Sequence, residues 1–515
     1  YGVGGYVGVE GDVYATGSDY YYGVYGYVDG GDGENYGVVG DVYGDGVNYG
    51  VYAYATDNGS GTSNNYGIYA YAAGGDTNWA GYFVGDVYVD MGIDIRGGGG
   101  GAGGAGASTY RDDWENANVI TVAPDNADFA SIDFAIAAAG AGPAIIKIAP
   151  GTYTLSADAT IPTEVVLFGS GQQNTIITTS AGAVLTFNLG AEAYFIHFDL
   201  DVNFDGTANQ CWFSGNTQIG GTSTFINSCT FDDMGGTDTL AMIDGGKVEQ
   251  CNINMPTSCF GYWNISDCNI GYNGMMNIQP SPGGLSEVHI DGCDIFAPIT
   301  ITGIDAFAYI ESNRLTVTDG PPAIYVTENG FAEIKANHFI DCNIGVEIGT
   351  NASGVILSND FMANVTFAIN ADTCTQIDVI GNDIDGMSIG GTGIRIDGAA
   401  ESIIKDNQIS ECNLDAIWIG GGITTILDNN SCIGNRQNGI YIDDATCQIL
   451  RNTLINNGDG TSTFDLNDAS PTPASVASYN VLDTYNPAGT GVFAGAFNTN
   501  SFGVIYPGAQ PGQLP

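Results

Sequence analysis

The stretches Ile310-Glu-Ser-Asn-Arg-Leu315 and Ile404-Lys-Asp-Asn-Gln-Ile409 share one pattern: an aliphatic residue, two variable residues, Cys or Asn, a spacer and an apolar residue. The pattern recurs eleven times, and its fourth position is held by Cys229, Cys251, Cys268, Cys293, Asn313, Asn337, Asn359, Asn382, Asn407, Asn429 and Asn452. Successive members lie 17 to 25 residues apart. Repeats of this length stack on their neighbours, so the pattern predicts a solenoid. We call this column of residues the ladder.

The start of the predicted solenoid has features of its own. Residues 128–139 have a helical apolar period, and Ala144-Ile-Ile-Lys-Ile-Ala-Pro-Gly-Thr-Tyr153 has the features of a strand ending in a turn. This arrangement resembles the opening of pectin-lyase-like right-handed parallel β-helices, in which a helix covers the open end of the coil. A cover is needed because an exposed strand edge recruits further strands. We therefore expect an all-β, right-handed parallel β-helix, with earlier turns near Val166, Val184 and Phe195.

The ladder also accounts for many of the eleven cysteines. Small thiols fill a narrow coil, and stacked Asn amides can form hydrogen bonds from turn to turn. We therefore interpret the cysteines, including Cys342 and Cys412, as free, buried packing residues. The sequence has no C-x-x-C pair for a metal, and a disulfide framework stays open as an alternative, although it would leave one cysteine over. In the Asn429 turn, Ser431 stands at the apolar position, which predicts a bulge.

Residues 1–95 are a degenerate Tyr/Gly repeat, with units such as Tyr22-Gly-Val-Tyr-Gly-Tyr27 and Tyr49-Gly-Val-Tyr-Ala-Tyr54. Each unit predicts a short strand and a polar turn. Strands this small cannot bury a core alone, so we predict self-association as a homo-oligomer or filament, for example a trimer. The repeats resemble those of phage tail-fibre-like proteins and of surface proteins from marine bacteria. The sequence begins inside a repeat, so we also expect residues upstream of Tyr1.

Composition changes along the chain predict four segments. They are the Tyr/Gly oligomerisation region (1–95), a Gly/Ala-rich linker (96–108), the β-helix with its capping helix (109–462) and a C-terminal cap or tail (463–515).

The chain carries 58 Asp and Glu against 10 Lys and Arg, a net charge of −48. Such a chain repels polyanions, which excludes nucleic acid and anionic lipid surfaces as partners. No run of 18 apolar residues is present, so we predict no membrane insertion. The low number of tryptic sites and the acidic composition, which is typical of proteins in salty water, favour an extracellular location. We expect a bacterial surface appendage or a phage tail.

One acidic segment matches half of a metal-binding motif. Asp201-Val-Asn203-Phe-Asp205-Gly206 fits the first half of a D-x-[DN]-x-[DN]-G calcium loop, so Asp201, Asn203 and Asp205 are candidate Ca²⁺ ligands. Trp212 stands where the closing Glu is required. The alternation of apolar residues through the segment is also typical of an amphipathic strand. We predict no other cofactor.

A second column comes from apolar-x-apolar triplets in the late turns, whose middle residue faces outward when its neighbours face inward. The middle residues are Tyr325, Glu347, Ala368, Arg395, Trp418 and Tyr441. Aromatic rings beside a guanidinium can stack on sugars and bind an acidic group, or they can pack against another subunit. We take this column as the candidate surface for a glycan, a receptor or a partner chain.

β-Helices that this chain resembles include pectate lyases, polygalacturonases and tailspike depolymerases. A lyase of this type needs carboxylates that hold Ca²⁺ and a base, and a hydrolase needs two carboxylates at a defined separation. The three histidines, His197, His289 and His338, lie in unrelated repeats and indicate no catalytic set. We therefore predict a non-enzymatic structural or adhesive fibre subunit, with the β-helix as a rigid shaft or binding head. The alternatives are a polysaccharide depolymerase using Arg395 and Asp397, and a passive glycan-binding module.

Overall fold

The computed structural model describes residues 118–506, with gaps at 126, 181, 222, 234–237, 283, 319, 365, 387–390, 422–423, 459–462, 470–474, 483–484, 488–497 and 500–504. The chain divides into two compact units, Tyr1–Gly104 and Ala105–Pro515, and the described residues belong to the second. The predictions for the Tyr/Gly region, for the linker and for oligomerisation fall outside the described residues.

The described residues wind as a parallel β-helix of about 14 turns, which confirms the predicted fold class. Strands of each turn lie in parallel register on the strands of the next, as Ile417–Gly420 does on Ile440–Asp443. Alternate residues of a strand point inward, and the stacked apolar side chains form one continuous core along the coil. We name the three stacks of strands face 1, face 2 and face 3, in the order in which each turn visits them.

The strands of face 1 precede the ladder corner. They are Asn118–Val122, Ala144–Ile148, Val165–Phe168, Phe225–Asn227, Gly245–Glu249, Tyr262–Ser266, Ser286–Asp291, Ala306–Glu311, Phe331–Lys335, Ser353–Leu357, Gln376–Ile380, Glu401–Lys405, Thr424–Asp428, Cys447–Leu450 and Val476–Ser478.

Face 2 follows the corner. Its strands are Gly151–Leu155, Thr175–Thr179, His197–Asp199, Trp212–Phe213, Thr230–Asp232, Asn252–Asn254, Asn269–Ile270, Asp294–Ile295, Arg314–Leu315, His338–Ile340, Asp360–Met362, Asp383–Asp385, Gln408–Ser410, Ser431–Ile433, Thr453–Ile455, Val481–Leu482, Asn498–Thr499 and the antiparallel Ile505–Tyr506.

Face 3 completes each turn. Its strands are Ala159–Ile161, Thr217–Gly220, Leu240–Ile243, Thr257–Cys259, Met276–Ile278, Ile299–Thr302, Ile324–Thr327, Ile344–Ile348, Phe367–Asp372, Thr392–Asp397, Ile417–Gly420, Ile440–Asp443, Leu466–Asp468 and Tyr485–Pro487. Two longer strands, Leu185–Tyr194 and Val202–Asn209, run through face 3 into face 1.

A helix, α1 (Ile132–Ala139), packs its buried side chains against the first strands of the coil. It is shorter than the predicted 128–139. Asp128 accepts hydrogen bonds from the backbone N–H and the hydroxyl of Thr121, both at 2.8 Å, which ties the preceding residues to the first strand. No helix in the described part of the chain has the length and hydropathy that a membrane span requires.

The ladder residues lie at the corner between faces 1 and 2, directly after a residue with left-handed φ. Ser312 has a φ of 60°, and Asn313 follows it. Asn337 Oδ1 accepts hydrogen bonds from the Asn313 backbone N–H at 2.9 Å and from Asn313 Nδ2 at 3.0 Å. Asn313 Nδ2 also donates to the Ile290 carbonyl at 2.9 Å. The buried amide therefore has partners in the turns before and after it.

One ladder assignment was wrong. Asn429 is exposed, has a φ of 55° and donates to Asp406, so it is the left-handed residue of its corner. Asn430 is the ladder residue, because it is 1% exposed and its Oδ1 accepts from Asn407 Nδ2 at 2.9 Å. With this shift the apolar position is held by the buried Cys432, and the bulge predicted at Ser431 is not needed.

The coil also continues past the predicted boundary at 462. Leu466–Asp468 pairs in parallel with Ile440–Asp443, and Val481–Leu482 pairs with Thr453–Ile455. Asn480 continues the ladder, since its Oδ1 accepts the Asn452 backbone N–H at 2.8 Å. Ala477 stands where earlier turns carry a large aliphatic residue, which hid this repeat in the sequence.

The two adjacent asparagines allow a matched test of the ladder. Asn430→Ala leaves the Asn407 backbone N–H and the Ile404 carbonyl without their amide partner, and we expect a loss of about 3 kcal/mol in unfolding free energy. Asn429→Gly is expected to change it by less than about 0.5 kcal/mol, because Gly accepts a positive φ. Urea unfolding followed by circular dichroism measures both, and equal losses would contradict the assignment.

Candidate binding face

The outward residues of face 3 form a continuous column in the late turns. The register places Tyr325 beside Glu347, Glu347 beside Asn370, and Asn370 beside Arg395. Arg395 is followed by Trp418 and Tyr441. We call these residues, Tyr325, Glu347, Asn370, Arg395, Trp418 and Tyr441, the Trp418 column.

The column contains one residue that the sequence pattern missed. Ala368, predicted to face outward, is fully buried, and Asn370 stands beside Arg395 instead. Phe367–Asp372 contains two overlapping apolar-x-apolar triplets, Phe367-Ala368-Ile369 and Ile369-Asn370-Ala371, so two assignments of its outward residue were possible. The triplet Ile369-Asn370-Ala371 lies 25 residues before Ile394-Arg395-Ile396 and was the available signal.

Arg395 is held by its neighbours within the protein. Its Nη2 donates to Asp397 Oδ2 at 2.5 Å, and its Nη1 donates to Asn370 Oδ1 at 3.0 Å. The guanidinium carbon lies 5.0 Å from the centre of the Trp418 ring, a cation–π distance. The charge that was predicted to bind an acidic ligand is therefore already paired with a carboxylate.

Two glycines give the aromatic rings of the column their positions. A Cβ on Gly420 would lie 2.2 Å from Trp418 Cη2, and a Cβ on Gly349 would lie 3.1 Å from Tyr325 Cε2. Each ring therefore packs close to its glycine, in space that the side chain of any other residue at that position would enter. The Trp418 ring extends over Gly420, the Arg395 guanidinium lies over the ring, and Trp418 stays partly exposed.

Carboxyl groups surround this aromatic surface. Glu347, Asp372, Asp397 and Asp443 all point outward on adjacent turns of face 3. Burial raises the pKa of Glu347, and the charge of Asp372 adds to this, while the hydrogen bond to Asn370 and the charge of Arg395 oppose it. Burial, followed by the charges of Asp443 and Asp415, raises the pKa of Tyr441, which therefore stays a hydroxyl donor at neutral pH.

The predicted calcium ligands do not converge. Val202–Asn209 is a strand, so Asp201, Asn203 and Asp205 follow one another along an extended chain at about 6.8 Å per two residues. Asp201 Oδ1 accepts from Asn216 instead, and Asp205 from Thr224. No group of three or more His, Cys, Asp or Glu side chains in the described residues is arranged to hold a metal ion. The amphipathic-strand alternative is the correct one.

The three histidines lie in separate turns, each beside its own partner. His197 stacks on Trp212 and lies 2.8 Å from Ser214 Oγ, His289 contacts Glu287, and His338 contacts Asp360. His197 and His338 lie on face 2 and His289 lies on face 1, whereas the Trp418 column lies on face 3.

Comparison with known proteins supports the fold. The family described as "Right handed beta helix region" matches residues 381–502. No curated protein matches the chain.

Several solved structures of polysaccharide-active enzymes are similar to the chain. They include the catalytic unit of a thermostable alpha-1,3-glucanase from Streptomyces thermodiastaticus (TM-score 0.28, 12% identity, 67% of this chain, 64% of that one). A periplasmic alginate epimerase has a TM-score of 0.31 and 12% identity, over 66% of this chain and 77% of that one. A pectin methylesterase from carrot has a TM-score of 0.25 and 14% identity, over 49% of this chain and 84% of that one. The chain thus spans less than two thirds of the glucanase unit. Likeness at this level carries no information on substrate.

The raised pKa of Glu347 gives the stability of this face a pH dependence. The folded chain holds this proton more tightly than the unfolded chain, so stability falls as pH rises through the window above the ordinary Glu pKa. Glu347→Gln removes this fall. We expect the difference in urea midpoint, variant minus wild type, to increase as the pH is raised from about 4 to about 7. A difference that does not vary with pH would contradict the assignment.

Proposed function

We propose that the chain is an extracellular structural protein whose β-helix is a rigid shaft that binds neutral glycans through the Trp418 column. The observation that carries this proposal is the Trp418 ring, which extends over Gly420 and has the Arg395 guanidinium over it, 5.0 Å from the ring centre. A partly exposed ring in a fixed orientation fits the apolar face of a sugar and loses little side-chain freedom when it binds.

The charges near the ring favour a neutral ligand over an acidic one. Arg395 is paired with Asp397, while Glu347, Asp372 and Asp443 add negative charge to the same face. A uronic acid polymer would meet these carboxylates and the net charge of −48. A neutral sugar can instead use its hydroxyls to bind the carboxylates and the Tyr441 hydroxyl.

The shaft role is supported by the stacking of the turns. Core side chains connect each turn to the next along the described coil, and ladder amides do so from Asn313 to Asn480, so the coil provides a stiff support for the Trp418 column. Self-association through residues 1–95, and a location on a bacterial surface or phage tail, remain proposals that rest on the sequence repeats and the charge.

Trp418→Ala tests the binding role. We expect its affinity for neutral oligosaccharides to fall at least about tenfold, which corresponds to about 1.4 kcal/mol. Isothermal titration calorimetry with malto-, cello- and laminari-oligosaccharides measures it, with oligogalacturonate as the acidic comparison. Gly420→Ala is expected to weaken binding as well, because its Cβ displaces the ring without removing it.

Tyr272→Ala is the matched control, because Tyr272 is 71% exposed and lies outside the column. Its affinity is expected to equal that of wild type. Tighter binding of oligogalacturonate than of every neutral sugar would contradict the proposal, and so would an unchanged affinity of Trp418→Ala.

A second candidate function is polysaccharide cleavage. The half-buried Glu347 has a raised pKa, as a general acid requires, and Asp372 and Asp397 lie on the next two turns. Release of reducing ends from a bound glucan, abolished in Glu347→Gln with binding intact, would favour this function over passive binding.

A further inference from the structure

Five cysteines occupy consecutive turns at the N-terminal end of the ladder. They are Cys211, Cys229, Cys251, Cys268 and Cys293, each at most 2% exposed. We call them the thiol column. The backbone N–H of Cys229 donates to Cys251 Sγ at 3.3 Å, and the other neighbours are joined in the same way at 3.3 to 3.4 Å. All five are thiols in the structure.

The spacing of the thiol column fits covalent cross-links between neighbours. Adjacent strands lie about 4.8 Å apart, within the Cα separation of about 4.4 to 6.8 Å that a disulfide spans. Second neighbours lie roughly 9.6 Å apart, twice the strand spacing, and cannot be bridged. Cys432, by contrast, stacks between Ile409 and Leu454.

The thiol column also connects successive turns by weaker hydrogen bonds than the asparagines of the ladder do. From Asn337 onward, each Oδ1 accepts two N–H groups of the preceding turn, and from Asn313 onward each Nδ2 donates to a carbonyl. A thiol supplies a weak acceptor and a weak donor in their place, as where Cys251 Sγ lies 3.2 Å from the Glu249 carbonyl oxygen. A covalent bond between these turns would compensate for their weaker hydrogen bonding.

We propose that the thiol column forms disulfides between consecutive turns when the chain folds in an oxidising medium. For each bridge, two thiols lose two protons and two electrons, and one S–S bond forms. A small disulfide such as oxidised glutathione accepts them, its own S–S bond breaks, and two glutathione thiols are released. Oxidation occurs during folding, because burial raises the pKa of thiols such as Cys229 and suppresses the reactive thiolate afterwards.

Bridging restricted to neighbours has a countable signature. Five cysteines in a row form two bridges, which leaves seven thiols of the eleven in the chain. Cys251→Asn separates the column into two pairs, so two bridges still form. Cys229→Asn or Cys268→Asn leaves one isolated cysteine and three in a row, so one bridge forms. Asn is the matched substitution, because the same column carries Asn from residue 313 onward.

The test uses the full chain, denatured, reduced and refolded in a mixture of reduced and oxidised glutathione. Free thiols are then blocked, and intact mass gives the number of bridges. Cleavage before aspartates, including Asp232, Asp267 and Asp291, leaves Cys211 with Cys229 and Cys251 with Cys259 on shared peptides and separates the other members of the thiol column. Fragmentation of the linked peptides by tandem mass spectrometry then identifies the bridged pairs. Circular dichroism confirms that each variant has folded, and Cys432→Ala is the control.

The expected numbers are two bridges for wild type, Cys251→Asn and Cys432→Ala, and one for Cys229→Asn and for Cys268→Asn. The wild-type map is expected to contain only consecutive members of the thiol column. Eleven free thiols in refolded wild type would overturn the proposal. A bridge that includes Cys432, or one bridge in Cys251→Asn, would also overturn it.

Discussion

The backbone N–H at the corner between faces 1 and 2 is the group on which the stacking depends. The chain turns inward there through a residue with left-handed φ, and this buries the amide that follows. A buried N–H without a partner is strongly unfavourable, so the side chain at the same corner of the next turn must accept it. A short side chain with an acceptor near the backbone can do so, which accounts for the Cys and Asn at this corner from Cys211 to Asn480. Thirteen residues directly precede the ladder residues from Cys211 to Asn480, and two of them are Gly. Most corners therefore place in the left-handed conformation a residue that intrinsically disfavours it.

The same arrangement recurs at the corner between faces 2 and 3. Asp341 and Ala363 have left-handed φ and precede Cys342 and Asn364, and the Cys342 N–H donates to Asn364 Oδ1 at 3.1 Å. Farther along, Cys412, Asn435 and Asn457 repeat it. This second, shorter ladder explains Cys342 and Cys412, which lie outside the first. One local conformation, used at two corners, therefore sets the cross-section of the coil, and the faces between corners are free to vary their outward residues.

The repeat spacing was enough to predict the coil, because a buried corner restricts residue type at every turn. Positions without that restriction were harder to predict. Asn429 and Asn430 each follow an aliphatic residue by three positions, and the sequence signal that favoured Asn430 was Cys432 at the apolar position, where Asn429 has Ser431. The outward residues of face 3 follow from alternation alone, which placed Arg395 and Trp418 correctly and failed at Ala368, where two apolar-x-apolar triplets overlap. The pairing of Arg395 with Asp397, and the space that Gly420 leaves for Trp418, depend on side-chain conformations that spacing does not determine. The calcium motif failed because an extended chain separates the oxygens that a loop would bring together.

The ladder gives the coil a polarity. Each corner N–H donates to the turn that follows it in the chain, from Cys211 to Cys229 and onward to Asn480. A turn at the growing end of a nascent chain thus stays incomplete until about two dozen further residues have emerged and folded onto it. The two ends of the coil are therefore unlike: each turn supplies the acceptor for the corner N–H of the turn before it and needs the turn after it for its own.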